Sequence, residues 1–217
     1  ASLNSGSNGN CYYIGNEDSA VLIDAGISAR ETEARMKSLG LSLKRVKAIF
    51  KTHEHSDHIG GVAKLSKRHK IPVYITPATR LRGNLKLEES LCHAFKPHET
   101  ILLDELLITP VPKRHDAIDP HSFVVASSTV RVGVFTDSGA PCEHLINYFG
   151  QCHAAFLEAN YDEDMLENGG YPYALKNRIR GGQGHLSNKQ ALAIFLNHRP
   201  EFMSHLFLAH LSNNNNT

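Results

Sequence analysis

The chain has no tryptophan and, among 217 residues, only three methionines and four cysteines. Cys11, Cys92, Cys142 and Cys152 show no CxxC spacing. Thiols so isolated exclude a disulfide-stapled scaffold and a zinc knuckle, and suit a reducing, cytoplasmic setting. No apolar run approaches the ~18 residues that span a bilayer, and the amino end shows no basic-then-apolar signal segment. Charge of one sign is missing as well. Lys plus Arg total 23 against 22 for Asp plus Glu, a net charge of +1. Nucleic acid could therefore be met only by a local basic patch, not by the field of the whole molecule. Repeats and Pro/Ser-rich hinges are absent, and only Ser5–Asn10 and the Asn run at 213–216 are compositionally biased. With 41% hydrophobic residues the chain can bury a core, and its length suits a single domain over 1–217.

Histidine is what the sequence has in excess: fourteen residues, too many neutral imidazoles for packing alone to explain. Metal binding is the first hypothesis they raise. The apolar pattern alternates short runs with amphipathic segments. Strands are expected at 12–14, 21–23, 46–50, 73–75, 101–103, 106–108, 123–126, 130–135, 154–157 and 206–208. Ser28 with Glu31 forms a capping box that opens a helix ending near Gly40. Further helices are expected over 60–69, 142–149, 173–180 and 187–198, the last with a second capping box in Ser187 and Gln190. Nearly every apolar run leads directly to a residue able to bind metal or move a proton: Asp24, His53, Asp137, Glu158 and His210. Strands buried on both faces that release such residues at their carboxyl ends describe a helix-covered sheet with a site along one edge.

The sharpest motif is Thr52-His53-Glu54-His55-Ser56-Asp57-His58. In an extended or turning loop His53 and His55 share a face and can grip one cation. If the chain turns after Ser56, Asp57 and His58 point elsewhere and can take a second. Gly60-Gly61 then allows close backbone approach before a helix. Such a His-x-His-x-Asp-His run after a strand resembles the signature of the metallo-β-lactamase-fold hydrolases. Asp24 in Leu-Ile-Asp-Ala-Gly, His115 in Arg-His-Asp-Ala, Asp137 in Phe-Thr-Asp-Ser-Gly and His210 in Ala-His-Leu-Ser match that family's other motifs.

The resemblance implies an α/β fold, a four-layer αββα sandwich, with two metals at one edge of the paired sheets. It carries His53, His55 and His115 to one metal and Asp57, His58 and His210 to the other, with Asp137 bridging. Asp24 would orient a ligand without binding metal itself. Ser-Gly-Ser-Asn-Gly-Asn-Cys-Tyr-Tyr near the start, together with His-Asp-Ala-Ile-Asp-Pro, Leu-Glu-Ala-Asn-Tyr-Asp and Gly-His-Leu-Ser-Asn, resembles the bacterial WalJ/YycJ-type subgroup. Its members are described as DNA-processing exonucleases. Phe-Leu-Glu-Ala-Asn-Tyr and Gly-His-Leu-Ser are similar to motifs of the tRNA 3′-processing endonucleases, which places Glu158 and His185 beside the scissile phosphate. The chain ends a few residues beyond His210, where the resemblance leads one to expect further sequence.

These readings imply a phosphodiester hydrolase acting on nucleic acid, DNA in the first instance. Its nucleophile would be a hydroxide shared by two divalent metals, zinc or else manganese or iron. Asp57, Glu158 and His185 would be the catalytic side chains, with His185 stabilising charge or protonating the departing oxygen and Glu158 orienting it. Lys176, Arg178, Arg180 and Ser187 are the candidate phosphate contacts, because a glycine-rich segment links the basic residues to His185 and Ser187 opens a helix. The alternative substrate class is small, a cyclic phosphodiester or a thioester, on the same dinuclear core. His69, His93, His98, His144, His153, His198 and His205 lack ligand spacing and read as surface or packing residues in helices and loops. His121 competes weakly with His115.

Overall fold

A computed structural model describes residues 1–217. Two six-stranded sheets face each other, and the strand sequences explain why. In β2 (Cys11–Gly15) and β3 (Ala20–Ile23) successive side chains belong alternately to two different cores. Tyr12, Ile14, Val21 and Ile23 point toward the second sheet, whereas Cys11, Tyr13, Ala20 and Leu22 face helices on the outside. A strand covered on both faces needs apolar residues at every position, so it reads as a continuous apolar run.

The first sheet has the order β1 (Ser2–Asn4), β2, β3, β4 (Val46–Phe50), β5 (Val73–Tyr74) and β6 (Cys92–His93). Its outer face is covered by α1 (Ala29–Ser38) and by α3 (Val62–His69), which follows the single turn α2 (Ser56–Ile59). Next in sequence comes α4 (Pro77–Arg82). The second sheet is built from β7 (Ile101–Leu103), β8 (Leu106–Pro112), β9 (His121–Ala126), β10 (Arg131–Phe135), β11 (Ala154–Glu158) and β12 (His205–Ala209), adjacent in that order. Its outer face packs on α5 (Glu143–Phe149) and α8 (Asn188–His198) through Phe135, Leu145, Phe149, Leu157 and Ile194. Between β11 and α8 lie α6 (Glu163–Asn168) and α7 (Tyr173–Arg180), which share a separate small cluster of Tyr161, Leu166 and Ile179. The layers are αββα, as expected.

Phe50 is the centre of the inter-sheet core. It is fully buried, stacks on Tyr74 at 4.7 Å between ring centroids and meets Phe123 edge-on at 5.4 Å. Burying such a ring contributes about 1.5–3 kcal/mol.

Some elements depart from the sequence pattern. β1, β6, α4 and α6 were not anticipated: each is too short for a period to show. β8 continues to Pro112 through Pro110. The Pro110 carbonyl accepts from the His98 N–H (2.9 Å), so its missing N–H falls on the outer side, where β7, paired only with residues 106–108, has ended. β12 is not buried on both faces. It is an edge strand, with Phe207 46% and Leu208 58% exposed. His93 and His205 lie in strands rather than in helices or loops. The compositionally biased Asn run is tied to the strand ends: Asn216 donates to the carbonyls of Ala159 (2.6 Å) and Asn160 (3.0 Å), and Asn215 is buried. No helix is long and apolar enough to cross a membrane.

Candidate metal centre and its acid–base pair

The parallel strands β3, β4, β10, β11 and β12 all point their carboxyl ends at one edge of the sandwich, where their last residues or those within three positions beyond converge. Asp24, Asp137 and His210 adopt left-handed backbone angles there, with φ of 60°, 53° and 56°. Asp and His tolerate this region better than most residues, and each turn swings a side chain across the strand ends. The loop after β4 is held just as closely. A Cβ on Gly26 would come within 1.7 Å of the Asp57 carbonyl oxygen, so only glycine lets the two loops touch.

Three donor groups result. In the first, His53 Nε2 and His115 Nε2 lie 3.1 and 3.2 Å from His55 Nδ1. Three imidazole nitrogens converging in this way cannot all be satisfied by one shared proton. His115 Nδ1 donates to the Gly184 carbonyl at 2.9 Å, which leaves Nε2 with its lone pair free. Burial pushes His115 down to about 4 and His53 well below the usual histidine range, so both stay neutral.

The second group joins Asp57, His58, Asp137 and His210. His58 Nε2 is 3.2 Å from Asp137 Oδ2 and 3.3 Å from Asp57 Oδ2. His210 Nε2 is 3.2 Å from Asp137 Oδ1, and that oxygen also lies 4.0 Å from His115 Nε2, so Asp137 adjoins both groups. Burial opposes a charge on His210, but Asp137, Asp57 and Glu158 outweigh it and raise its pKa to about 10. His58 is pushed up in the same contest by Asp137 and Asp24.

Asp24 stands behind this group. Its Oδ2 accepts from Thr52 Oγ1 (2.6 Å) and from His58 Nδ1 (2.6 Å), and its Oδ1 accepts from the Thr52 N–H (3.0 Å) and from Lys51 Nζ. Burial resists ionisation, yet Lys51 and His58 bring the carboxyl down to about 2.

The third group shares Asp137 and His210 and adds Glu158 and His185. His185 Nδ1 donates to Glu158 Oε1 at 2.7 Å. Glu158 is fully buried, and its other oxygen accepts from the backbone N–H of Ser138 (2.6 Å) and of Leu186 (3.3 Å). The His185 side chain keeps 17% of its surface exposed, so it is the member of the pair open to solvent.

The proposed phosphate contacts scatter. Arg178 Nε donates to Asp116 beside His115, whereas Arg180 pairs with Glu167 and Lys176 Nζ donates to the Glu167 carbonyl. Ser187 is buried; its hydroxyl accepts from the Gln190 N–H (3.2 Å) and donates to Glu163 (3.1 Å). His121 packs edge-on against Phe95 at the head of β9 and belongs to none of the three groups.

Sequence reasoning missed several partners. Asn10 is buried and donates to Asp57 Oδ2 at 3.1 Å. Lys51 and Lys113 are buried lysines, and Lys113 Nζ donates to the Thr136 carbonyl (2.7 Å) just before Asp137. Asn160 donates to the His210 carbonyl at 2.7 Å. Only Asn10 carried a signal, its place in the biased Ser5–Asn10 stretch.

The metallo-beta-lactamase superfamily profile matches residues 5–167. Over 219 aligned residues the chain is 32% identical to exodeoxyribonuclease YycJ of Bacillus anthracis, covering 99% of this chain and 82% of that protein. It is 29% identical to exodeoxyribonuclease WalJ of Streptococcus pneumoniae serotype 2, covering 99% and 81%. Among solved structures, the metallo-beta-lactamase fold protein YhfI of Bacillus subtilis superposes with a TM-score of 0.74 at 15% identity, over 98% of this chain and 85% of that one.

Proposed function

The chain belongs to the metallo-beta-lactamase superfamily, and from that premise we propose that it is a metal-dependent exonuclease that hydrolyses phosphodiester bonds of DNA. The observation that carries the reading beyond the fold is the Glu158–His185 pair, a buried carboxylate aiming a reachable imidazole beside the metal-binding groups. Two relatives aligned over nearly the whole chain carry the name exodeoxyribonuclease, which supports the substrate class.

The donor set fits two divalent cations. Asp137 Oδ2 and His210 Nε2 are buried without a hydrogen-bond partner, which leaves both available as ligand atoms. His53, His55 and His115 would hold one cation and Asp57, His58 and His210 the other, with Asp137 reaching both. Imidazole and carboxylate donors without thiolate suit zinc, and the same set accepts manganese or iron. Bound there, the pair supplies Lewis acidity that lowers the pKa of water and offsets charge gathering on a phosphate.

The remaining work falls to the chain. Asp24 locks the His58 ring through Nδ1 and so fixes which nitrogen faces the site. Asp57, whose side chain is the most exposed of the second group at 19%, would accept a hydrogen bond from the attacking water and fix its direction. His185, with Nδ1 committed to Glu158, offers Nε2 to the departing sugar oxygen as a proton donor. Glu158 stays ionised, brought down to about 2 against its burial by His185 and His210, and so holds the ring through Nδ1. Four cysteines without a disulfide fit a reducing compartment.

The test is metal analysis of protein purified without added metal, paired with digestion of 5′- and 3′-labelled duplex DNA. Metal-dependent shortening from one end is expected. Turnover of a cyclic phosphodiester or a thioester with intact DNA would overturn the reading.

A further inference from the structure

Two negatively charged oxygens beside the first histidine group belong to Asp116, a residue with no part in the donor groups described above. Asp116 Oδ1 lies 3.5 Å from His115 Nε2 and 3.9 Å from His55 Nε2. Its other oxygen accepts from Arg178 Nε. One oxygen toward the histidines and one toward a guanidinium is the arrangement that the two non-bridging oxygens of a phosphodiester would adopt on the same surface.

The surroundings suit an exchangeable contact. The Asp116 backbone is fixed by its N–H bond to the Gln183 carbonyl (2.8 Å), so the carboxylate can rotate away without moving the loop. Asp116 and Arg178 keep 27% and 52% of their side-chain surface exposed, so water can replace either partner. Arg178 rides on α7, which is flanked by Gly169-Gly170 and Gly181-Gly182. A Cβ at Gly170 or Gly182 would meet no atom within 4 Å, so no close packing holds these two positions. Of the three cations on this helix only Arg178 touches the wall of the site; Lys176 and Arg180 are anchored to Glu167.

We propose that Asp116 is a built-in stand-in for the substrate phosphate, occupying Arg178 until a phosphate of the nucleic-acid backbone displaces it. Arg178 is then the cation that reads the backbone beside the scissile bond, and Asp116 sets how readily it is released. The inference rests on the nuclease reading above and adds an opposite sign for two neighbouring residues. Removing the competitor tightens substrate binding, while removing the cation weakens it.

The experiment is a titration of the purified chain with fluorescently labelled DNA across a range of salt, for the wild type, Asp116→Asn, Arg178→Met and the double variant, with metal content measured for each. Asp116→Asn is expected to bind about two- to fivefold tighter at low salt, the scale of an exposed ion pair released. Arg178→Met is expected to bind about tenfold more weakly, with the log–log salt slope reduced by roughly 0.9 on duplex DNA. The double variant should match Arg178→Met, because Asp116 acts only through that side chain. Weaker or unchanged binding by Asp116→Asn overturns the proposal, as does loss of metal in that variant, which would make Asp116 a ligand. Failure of the wild type to bind DNA at all would instead overturn the nuclease reading, and this inference with it.

Discussion

Replacing His185 with alanine separates proton donation from every other role the site could give that residue. The ring contributes a 2.7 Å bond to Glu158 and approaches no closer than 3.9 Å to Asp137. It is absent from the two groups that hold His53, His55, His115, Asp57, His58 and His210. Its loss therefore removes one charge-assisted hydrogen bond, about 1.5–3 kcal/mol gross. Glu158 keeps the N–H groups of Ser138 and Leu186 on Oε2, and Oε1 still lies 3.3 Å from His210 Nδ1, so the fold and the bound metal should survive. Turnover should not. A positioned acid is worth about 10²–10⁴ in rate, or roughly 2.7–5.4 kcal/mol of barrier at 1.36 kcal/mol per tenfold. On labelled DNA, whose sugar oxygen leaves badly without a proton, His185→Ala should lose that full factor. On a bis(nitrophenyl) phosphate, whose leaving group departs unaided, the loss should be far smaller. Metal content, measured alongside, should be unchanged. Equal losses on both substrates would refute proton donation in favour of charge stabilisation, and loss of metal would refute the assignment altogether.

Asp137→Ala should drop metal content well below two equivalents, because one carboxylate adjoins both donor groups; element analysis after gel filtration measures it. In metal-free protein the depressed Asp24 carboxyl, about 2 against an ordinary 3.8, contributes stability that is fully present above pH ~4 and is lost as the pH falls toward 2. That contribution is about 2 kcal/mol, and acid unfolding of Asp24→Asn followed by circular dichroism should lack it. Burial pushes the thiols of Cys11 and Cys152 up to about 12, so a thiol reagent at neutral pH should modify the half-buried Cys92 and Cys142 first, as peptide mapping would report. Phe50→Ala should destabilise the chain by about 3–5 kcal/mol in urea titration, since it empties the centre of the inter-sheet core.

Part of the candidate metal centre was legible because several of its residues follow an apolar run that a doubly covered strand requires. Val21–Ile23 ends at Asp24, and Ala48–Phe50 leads within three residues to His53. What supports them was not legible. Lysine is ordinarily exposed, so nothing in Phe50-Lys51-Thr52 announces that Lys51 is buried with its ammonium on Asp24 and the His58 carbonyl. Lys113 hides between the prolines of β8 and His115 for the same reason. The basic residues near His185 read as one stripe, yet the fold divides them between Asp116 and Glu167, because residues 176, 178 and 180 cannot share a helical face. Nothing in the Asn run announces its bonds to carbonyls that only the folded strand ends bring near.

The left-handed turns at Asp137 and His210 also bear on how the centre could change its metal preference. Softer ions would call for thiolate in place of a carboxylate or an imidazole. At these two positions a cysteine would carry the roughly 1–2 kcal/mol cost of a left-handed backbone, which Asp and His are better suited to bear. His55 is under no such constraint, with φ −60° and ψ 149°. Any drift toward sulfur coordination therefore has its cheapest first step at a position outside these two turns, such as His55. The carboxylate between the groups is the residue that backbone geometry and ligand chemistry together leave least free to vary.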